Sequence, residues 1–167
     1  MLRYGLGIAA LSVVLDQLSK WGMLSGLFGL PFWAPDQKFA WAPGVEVTSF
    51  FNLVTVWNRG VSFGLFSNDS QMGPWLLSAM ALAISIALVI WLRKAETRWL
   101  ATALGLVIGG AIGNVIDRMR LGAVYDFLDF HAFGYHWPAF NVADMTIFIG
   151  VGLLLLDGIF ASPDGKQ

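Results

Sequence analysis

Four long apolar stretches alternate with shorter, more polar segments along the chain. A membrane-spanning helix needs about 20 mostly apolar residues, because each residue adds about 1.5 Å across a hydrocarbon core of about 30 Å. All four stretches reach this length, and they contain few charged residues. The pattern therefore predicts an all-α membrane protein with four transmembrane helices, which span approximately residues 4–28, 73–92, 98–117 and 140–160.

The composition indicates that lipid, rather than water, surrounds the chain. Hydrophobic residues make up 57% of the 167 residues and charged residues only 13%, a balance too apolar for a soluble domain. The net charge of −1 lacks the basic excess that a nucleic-acid partner requires. The absence of cysteine excludes disulfides and thiolate chemistry, and two histidines without an HExxH pattern do not indicate a metal site.

Basic residues in the shortest link set the predicted orientation. Arg93, Lys94 and Arg98 crowd the link between the second and third stretches, and dense basic residues in short loops mark the cytoplasmic side. Four spans then place both termini in the cytoplasm. The first stretch continues past Asp16 without a nearby A-x-A-like site, so we interpret it as a retained span rather than a signal peptide. No internal repeat is apparent, and residues 1–167 are interpreted as a single membrane domain.

The two external connections differ in pattern. Residues approximately 43–67 contain a β-branched and aromatic run that ends in Asn58-Arg59-Gly60, which is typical of a strand followed by a turn. We therefore expect a small external β-sheet there. The connection before the fourth stretch is rich in aromatic residues and carries Asp126 and Asp129. We interpret it as an external loop.

Polar residues on three of the stretches are spaced to meet at one depth. Residues three or four positions apart are neighbours on one face of a helix, and this spacing recurs on the first, third and fourth stretches. The residues concerned are Asp16 and Lys20, then Asn114, Asp117 and Arg118, and finally Asn141 and Asp144. The sequence therefore predicts a polar cluster at one mouth of the helix bundle.

The carboxylates differ in how readily a structural role explains them. An ionisable group costs at least about 2.5 kcal/mol at the centre of a bilayer, so it is normally paired or functional. Asp16 can be neutralised by the lysine four residues later, and Asp117 by the adjacent arginine. Asp126 and Asp144 have no basic neighbour at helical spacing. Asp126 and Asp144 are therefore the carboxylates for which a purely structural role is the weakest explanation.

Two carboxylates in a water-excluding site suit general acid–base hydrolysis. One aspartate deprotonates water while the other, protonated, polarises a carbonyl, because two nearby carboxylates cannot easily both ionise. No GxSxG motif occurs, and no histidine is placed by the sequence to serve a serine. Two alternatives remain open at this point. One is a small proton- or ion-coupled membrane carrier that uses the same aspartates, and the other is a noncatalytic membrane subunit.

Five short blocks stand in an order that is typical of one protein family. They are Leu15–Lys20, Asn58–Phe63, Gly109–Arg118 (GGxxGNxxDR), Val124–Phe130 (VxDFxDF) and Phe140–Asp144 (FNxAD). With them the chain resembles lipoprotein signal peptidase, also called signal peptidase II, the membrane aspartyl peptidase of bacteria. The last three blocks together are highly specific. Ser62 lies where many members carry alanine, a small departure within the second block.

The resemblance implies roles for individual residues of this sequence. Asp126 and Asp144 are implied to be the catalytic pair. The implied substrate-binding or supporting residues are Asn114, Arg118, Asn141, Asp16, Lys20, Asn58, Gly60 and Asp117. The resemblance implies no metal and no other cofactor.

The activity implied by the resemblance is that of a membrane endopeptidase. It removes the signal peptide from diacylglyceryl-modified prolipoproteins and cuts before the lipidated cysteine, with water activated by the aspartate pair. The expected partners are these substrates and membrane lipid, with no nucleic acid. We expect a monomer in the bacterial cytoplasmic (inner) membrane, with its active site near the outer face.

Overall fold

The computed structural model describes residues 1–32, 39–60 and 72–160. Its helices are α1 (Leu2–Trp21), which continues as a π-helical segment over Gly22–Leu27, α2 (Met72–Leu92), α3 (Arg98–Leu121) and α4 (Val142–Phe160). Among the described residues, α2, α3 and α4 are long and apolar enough to cross a membrane. The predicted helical membrane protein is thereby confirmed, whereas a fourth span formed by α1 stays a prediction.

Helix α3 lies at the centre of the bundle and packs against the other three helices. Glycines allow the close approach of its neighbours. A Cβ atom on Gly109 would lie 2.6 Å from the carbonyl oxygen of Ala9 in α1, and one on Gly110 would overlap the carbonyl oxygen of Ala143 in α4. Small residues at such contacts are typical of packed membrane helices. The close approach brings polar side chains of α1, α3 and α4 within hydrogen-bonding reach.

A four-stranded antiparallel sheet adjoins one end of the bundle, with strand order β1-β2-β3-β4. The first two strands lie in the predicted β-rich segment 43–67, of which residues 61–67, including Ser62, fall outside the described ranges. The small sheet expected from the sequence is therefore present. Its strands are β1 (Val45–Thr48), β2 (Phe51–Asn58), β3 (Val124–Ala132) and β4 (Tyr135–His136).

The segment that carries Asp126 is a strand, so its prediction as a loop was wrong. It forms β3, which pairs with β2 along most of its length, and Asp126 lies opposite Val56. Successive residues of a strand alternate between two faces, so Asp126 and Asp129, three positions apart, lie on opposite faces. Their spacing breaks the polar–apolar alternation that normally identifies a strand in a sequence.

Short connections hold the sheet against the ends of α3 and α4. Gly122 ends α3 with a left-handed backbone conformation (φ 76°), and β3 begins two residues later. On the return path, Phe140 forms a β-bridge with Leu128 just before α4 begins. The space between β3 and the segment after α1 is filled by Leu24, Phe32, Tyr125 and Phe127. Asp126 and the first turn of α4 consequently lie side by side.

Candidate active site

Asp126 is a carboxylate with only 1% of its surface exposed. Asn141 donates its side-chain amide to Oδ1 at 2.7 Å, and Asn58 donates its own to Oδ2 at 3.1 Å. Strand β3 supplies Asp126, β2 supplies Asn58, and the residue before α4 supplies Asn141. Three elements of the fold therefore fix the orientation of this one carboxylate.

Asp144 lies in the first turn of α4 and forms a reciprocal cap with Asn141. The Asn141 side-chain oxygen accepts the backbone N–H of Asp144 at 3.0 Å, and Asp144 Oδ2 accepts the backbone N–H of Asn141 at 3.2 Å. Such a capping box satisfies backbone donors that the start of a helix leaves free. Asp144 Oδ1 accepts the Asn114 amide at 2.8 Å. Both oxygens of Asp144 are therefore held in place.

The orientation of the Asn114 amide is set by its neighbours. Its oxygen accepts from Lys20 Nζ at 3.3 Å and from Asn141 Nδ2 at 3.2 Å. Because an ammonium and an amide NH₂ can only donate, the oxygen must face them and the NH₂ group must face Asp144. Lys20 of α1 thus determines which atom of Asn114 meets the carboxylate.

A buried ion cluster joins α1, α3 and α4 beside the two asparagines. Lys20 Nζ lies 2.8 Å from Asp16 and 2.8 Å from Asp117, and all three side chains are fully buried. Gln17 donates its amide to Asp16 at 3.1 Å and to Asp117 at 3.0 Å. Asp16 also accepts the backbone N–H of Ala143, in the first turn of α4, at 2.9 Å. The cluster therefore anchors the helix that carries Asp144.

Asp117 does not take the partner expected from the sequence. It pairs with Lys20 of α1 and, at 3.7 Å, with Arg120, rather than with the adjacent Arg118. A direct ion pair with Arg118 is not formed in the described structure, because adjacent residues on a helix point in directions about 100° apart; the charge of Arg118 acts on Asp117 only at longer range. Arg118 interacts electrostatically with Asp144 and Asp126 as well as with Asp117.

Arg118 keeps part of its hydrogen-bonding capacity. Within the described part of the chain its Nε is buried and has no hydrogen-bond partner. A guanidinium carries five N–H donors in a fixed planar arrangement. Because it lies within electrostatic range of both carboxylates, its free N–H is suited to bind an oxygen atom of a substrate.

The environment of Asp126 changes its protonation. Burial, with a further contribution from the negative charge of Asp144, raises the pKa of Asp126 from 3.8 to about 7. The amides of Asn58 and Asn141 act in the opposite direction, because they stabilise the charged form. Asp126 therefore keeps its proton over part of the neutral range. A protonated carboxyl beside a second carboxylate is the arrangement that general acid–base catalysis requires.

Asn58 and Gly60 form a turn at the end of β2. The Asn58 side-chain oxygen accepts the backbone N–H of Gly60 at 2.8 Å, while its NH₂ group reaches Asp126. Gly60 has a positive φ of 78°, and a side chain there would overlap Leu77 of α2. The Asn-x-Gly pattern is thus explained: the turn fixes the asparagine, and the glycine allows the turn.

Gln17 and Tyr125 belong to the site although the sequence did not single them out. Gln17 bridges two carboxylates, as described above, and the Tyr125 backbone N–H donates to Asp117 at 3.2 Å. Burial raises the pKa of Tyr125, so its hydroxyl stays neutral. Each residue neighbours a predicted aspartate and lies within one of the five family-typical blocks, Leu15–Lys20 or Val124–Phe130, and these are the signals that pointed to them. Among the described residues, no group of three His, Asp or Glu side chains is arranged to hold a metal ion.

Sequence comparison identifies similar proteins over nearly the whole chain. The family model described as "Signal peptidase (SPase) II" matches residues 8–160. A "Lipoprotein signal peptidase" of Methylobacterium radiotolerans is 46% identical over 165 residues, which cover 99% of this chain and 90% of the relative. Another of the same name, from Aeromonas hydrophila, is 46% identical over 92% of this chain and 86% of its own length. An ion-coupled carrier gains no support from these relatives.

Solved structures show the same architecture. A bacterial membrane enzyme determined by the in meso method at 1.9 Å resolution superposes with a TM-score of 0.76 and 28% identity, covering 95% of this chain and 94% of the other. A second, at 2.3 Å resolution, gives a TM-score of 0.74 with 28% identity over 98% and 92% of the two chains. The sheet and helix arrangement described here is therefore similar to that of membrane enzymes.

Proposed function

The chain belongs to the signal peptidase II family, and from this premise we propose that it cleaves the signal peptide from diacylglyceryl-modified prolipoproteins with Asp126 and Asp144 as its catalytic pair. The chain is a protease of the lipoprotein signal peptidase type. The main support for Asp126 and Asp144 as the catalytic pair is the position of Asn141. This one residue donates its amide to Asp126 and exchanges two hydrogen bonds with Asp144, so the two carboxylates keep a fixed relation.

The two aspartates have different roles in the proposed mechanism. Asp144, held by amide donors at a helix N-terminus where negative charge is favoured, acts as general base and deprotonates a water molecule. The resulting hydroxide attacks the scissile carbonyl carbon, and protonated Asp126 donates its proton to the carbonyl oxygen. Asp144 then gives its proton to the leaving amine as the C–N bond breaks, and one hydroxyl of the tetrahedral diol returns its proton to Asp126 as the carboxylic acid product forms, so both aspartates regain their starting protonation. Arg118 is proposed to bind a carbonyl oxygen of the substrate.

The membrane setting fits the proposed substrate. Helices α2 and α4 expose apolar side chains such as Ile86 and Phe148 on their outer surfaces, so an apolar signal helix and a diacylglyceryl group can approach through lipid. The cleavage point is proposed to be the bond before the lipidated cysteine, presented where β3 meets α4. Because the site lies at a helix end, the substrate needs to expose only a short peptide segment there.

The number of spans and the orientation of the chain in the membrane are also part of the proposal. We infer that α1 forms a fourth span and that both termini lie in the cytoplasm of a bacterium, with the active site near the outer face of the inner membrane. Arg93, Lys94 and Arg98 support this orientation, since they lie at the helix ends opposite to Asp144 and basic short loops are cytoplasmic. The whole chain is proposed to act as a single domain and as a monomer.

The test of the proposed function uses the purified chain alone in detergent or lipid. It is incubated with a diacylglyceryl-modified prolipoprotein, and the products are identified by mass spectrometry. We expect a new amino terminus at the lipidated cysteine. A matched unlipidated precursor measures how far lipidation is required. Absence of cleavage by the purified chain would favour a noncatalytic subunit, and proton flux across sealed vesicles without cleavage would favour a carrier.

A further inference from the structure

Helices α1 and α3 lie side by side and run in the same direction. A Cβ atom on Gly105 of α3 would lie against the Gly5 carbonyl of α1, and one on Gly113 would lie against the Asp16 carboxylate. The contacts therefore advance along both helices together, and the two helices begin at the same end of the bundle. Because α3 is long and apolar enough to cross a membrane, its first residue, Arg98, lies near one surface of the bilayer.

Tyr4 of α1 connects the beginnings of the two helices. Thr102 of α3 donates its hydroxyl to the Tyr4 hydroxyl at 3.3 Å, and the Arg98 guanidinium carbon lies 5.9 Å from the centre of the Tyr4 ring. A cation over an aromatic ring is attracted to its face, so this contact directs Arg98 toward α1. Arg3 lies one residue before Tyr4. The two arginines, one on each helix, are therefore brought to the same place.

A cavity of about 480 Å³ lies beside these helix beginnings. It is lined by Met1, Leu2, Arg3, Tyr4 and Arg98. Apolar atoms form almost all of the lining, so the arginines contribute their carbon stems to the walls and carry their charges at the rim. A ligand that fits this cavity has an apolar part inside and a negative charge at the rim.

The positive charge at this cavity is not balanced by the protein. Within the ranges that the structure describes, neither Arg3 nor Arg98 forms an ion pair with a carboxylate. The residues that line the cavity include no Asp or Glu, whereas Glu96 and Asp157 line a separate cavity together with Lys94. Two like charges at one cavity repel each other, and an anion between them would replace this repulsion by attraction.

We propose that Arg3, Tyr4 and Arg98 bind the headgroup phosphate of an anionic phospholipid, with an acyl chain against the apolar walls of the cavity. Basic pockets between membrane helices bind anionic lipid headgroups, and a guanidinium can donate two parallel hydrogen bonds to a phosphate. The Tyr4 hydroxyl accepts from Thr102 and so keeps its own proton to donate to a phosphate oxygen.

The bound lipid would have a structural effect on the helix pair. The buried ion cluster joins α1 to α3 toward the active-site end, through Lys20 and Asp117. A phosphate held by Arg3 and Arg98 would join the same two helices at the other end. Lys20, which orients Asn114, would then lie on a helix that is fixed at both of its ends. The lipid site itself does not depend on which residues are catalytic.

The test measures lipid binding by the full chain in detergent. Native mass spectrometry counts the bound molecules while phosphatidylglycerol, or phosphatidylcholine with the same acyl chains, is titrated. We expect the parent to bind its first phosphatidylglycerol severalfold more tightly than phosphatidylcholine. Arg3→Gln and Arg98→Gln should each weaken phosphatidylglycerol binding about fivefold and leave phosphatidylcholine binding unchanged. The matched control is Arg93→Gln, because Arg93 lies in the same link as Arg98 but lines neither cavity, and it should bind like the parent.

Three results would overturn the proposal. Equal affinity of the parent for the two lipids would show that the site does not select negative charge, and an equal loss in Arg93→Gln would indicate diffuse surface charge. Competition by glycerol phosphate as strong as by phosphatidylglycerol would indicate a site for free phosphate. Arg3→Gln alone decides the outcome if Arg98→Gln, which also loses the Tyr4 contact, fails to fold. The measurement requires no cleavage of substrate, so its outcome is independent of the proposed catalytic pair.

Discussion

The side-chain amide of Asn141 donates a hydrogen bond to Asp126 Oδ1 at 2.7 Å and thereby ties the start of α4 to strand β3. The same residue caps α4 through its side-chain oxygen. A helix start and a strand that are separated in sequence are consequently fixed to one another by a single side chain. This relation allows the two functions of Asn141 to be separated by substitution.

Asn141→Ala is expected to reduce both stability and activity. Loss of the cap should lower the free energy of unfolding by about 1 kcal/mol, and loss of the bond to Asp126 should lower kcat more than it raises KM. Asn141→Ser is the matched control, because serine caps helices about as well as asparagine but has no amide for Asp126. We expect Ser to restore the thermal midpoint without restoring kcat. Recovery of kcat in the Ser variant would contradict the bridging role.

The pH dependence of cleavage should follow the proton on Asp126. Because its pKa is raised to about 7 and the proposed mechanism needs the protonated acid, kcat/KM should fall as the pH rises through this pKa. Asn58 stabilises the charged form, so Asn58→Ala should raise the pKa further and shift the alkaline limb to higher pH. Asn52→Ala, on the same strand but bonded to Asp129, should leave the limb in place. A shift to lower pH in Asn58→Ala would argue against Asp126 as the acid.

Lys20 is predicted to be essential for stability rather than for chemistry itself. Lys20→Met leaves Asp16 and Asp117 buried without their shared cation, and breaking such a buried pair costs about 3–5 kcal/mol. Thermal unfolding in detergent should show a large decrease in midpoint. The same substitution at exposed Lys94 should leave the midpoint unchanged. A Lys20→Met protein as stable as the parent would show that the ion cluster is dispensable.

Close packing between α3 and α4 should matter at Gly110. A Cβ there would overlap Ala143 and Thr146 of α4, so Gly110→Ala should cost about 1–3 kcal/mol and also move Asp144 away from Asn114. The matched control is Gly152→Ala, since no atom lies within 4 Å of a Cβ at that position of α4. We expect the control to retain stability and cleavage, measured by thermal unfolding and prolipoprotein processing. Equal behaviour of the two variants would refute tight packing at Gly110.

Local spacing predicted much of this structure. Apolar length alone located the helices, because the cost of exposing backbone groups to lipid leaves few other structures for a run of about 20 apolar residues. Spacing of three and four residues on helices also predicted that Asn114, Asn141 and Asp144 would meet, which their hydrogen bonds confirm. Such periodic signals are local, so one sequence is sufficient to read them.

Contacts between distant segments could not be predicted in the same way. The pairing of Lys20 with Asp117 joins helices almost a hundred residues apart, and the spacing of residues within one helix does not encode it. The strand that carries Asp126 was missed because its two aspartates face opposite sides of the sheet. The direction of Asp126 toward α4 depends on how β2, β3 and α4 pack together, which is a property of the whole fold.

The most direct test of the catalytic pair is cleavage of a lipidated prolipoprotein by Asp126→Asn and Asp144→Asn, each purified from membranes and compared with Asp157→Asn at the opposite end of α4. We predict that both site variants insert normally but cleave about a thousandfold more slowly, because each lacks a group that transfers a proton, while Asp157→Asn cleaves at the parent rate. Parent-level cleavage by either Asp126→Asn or Asp144→Asn would contradict the account.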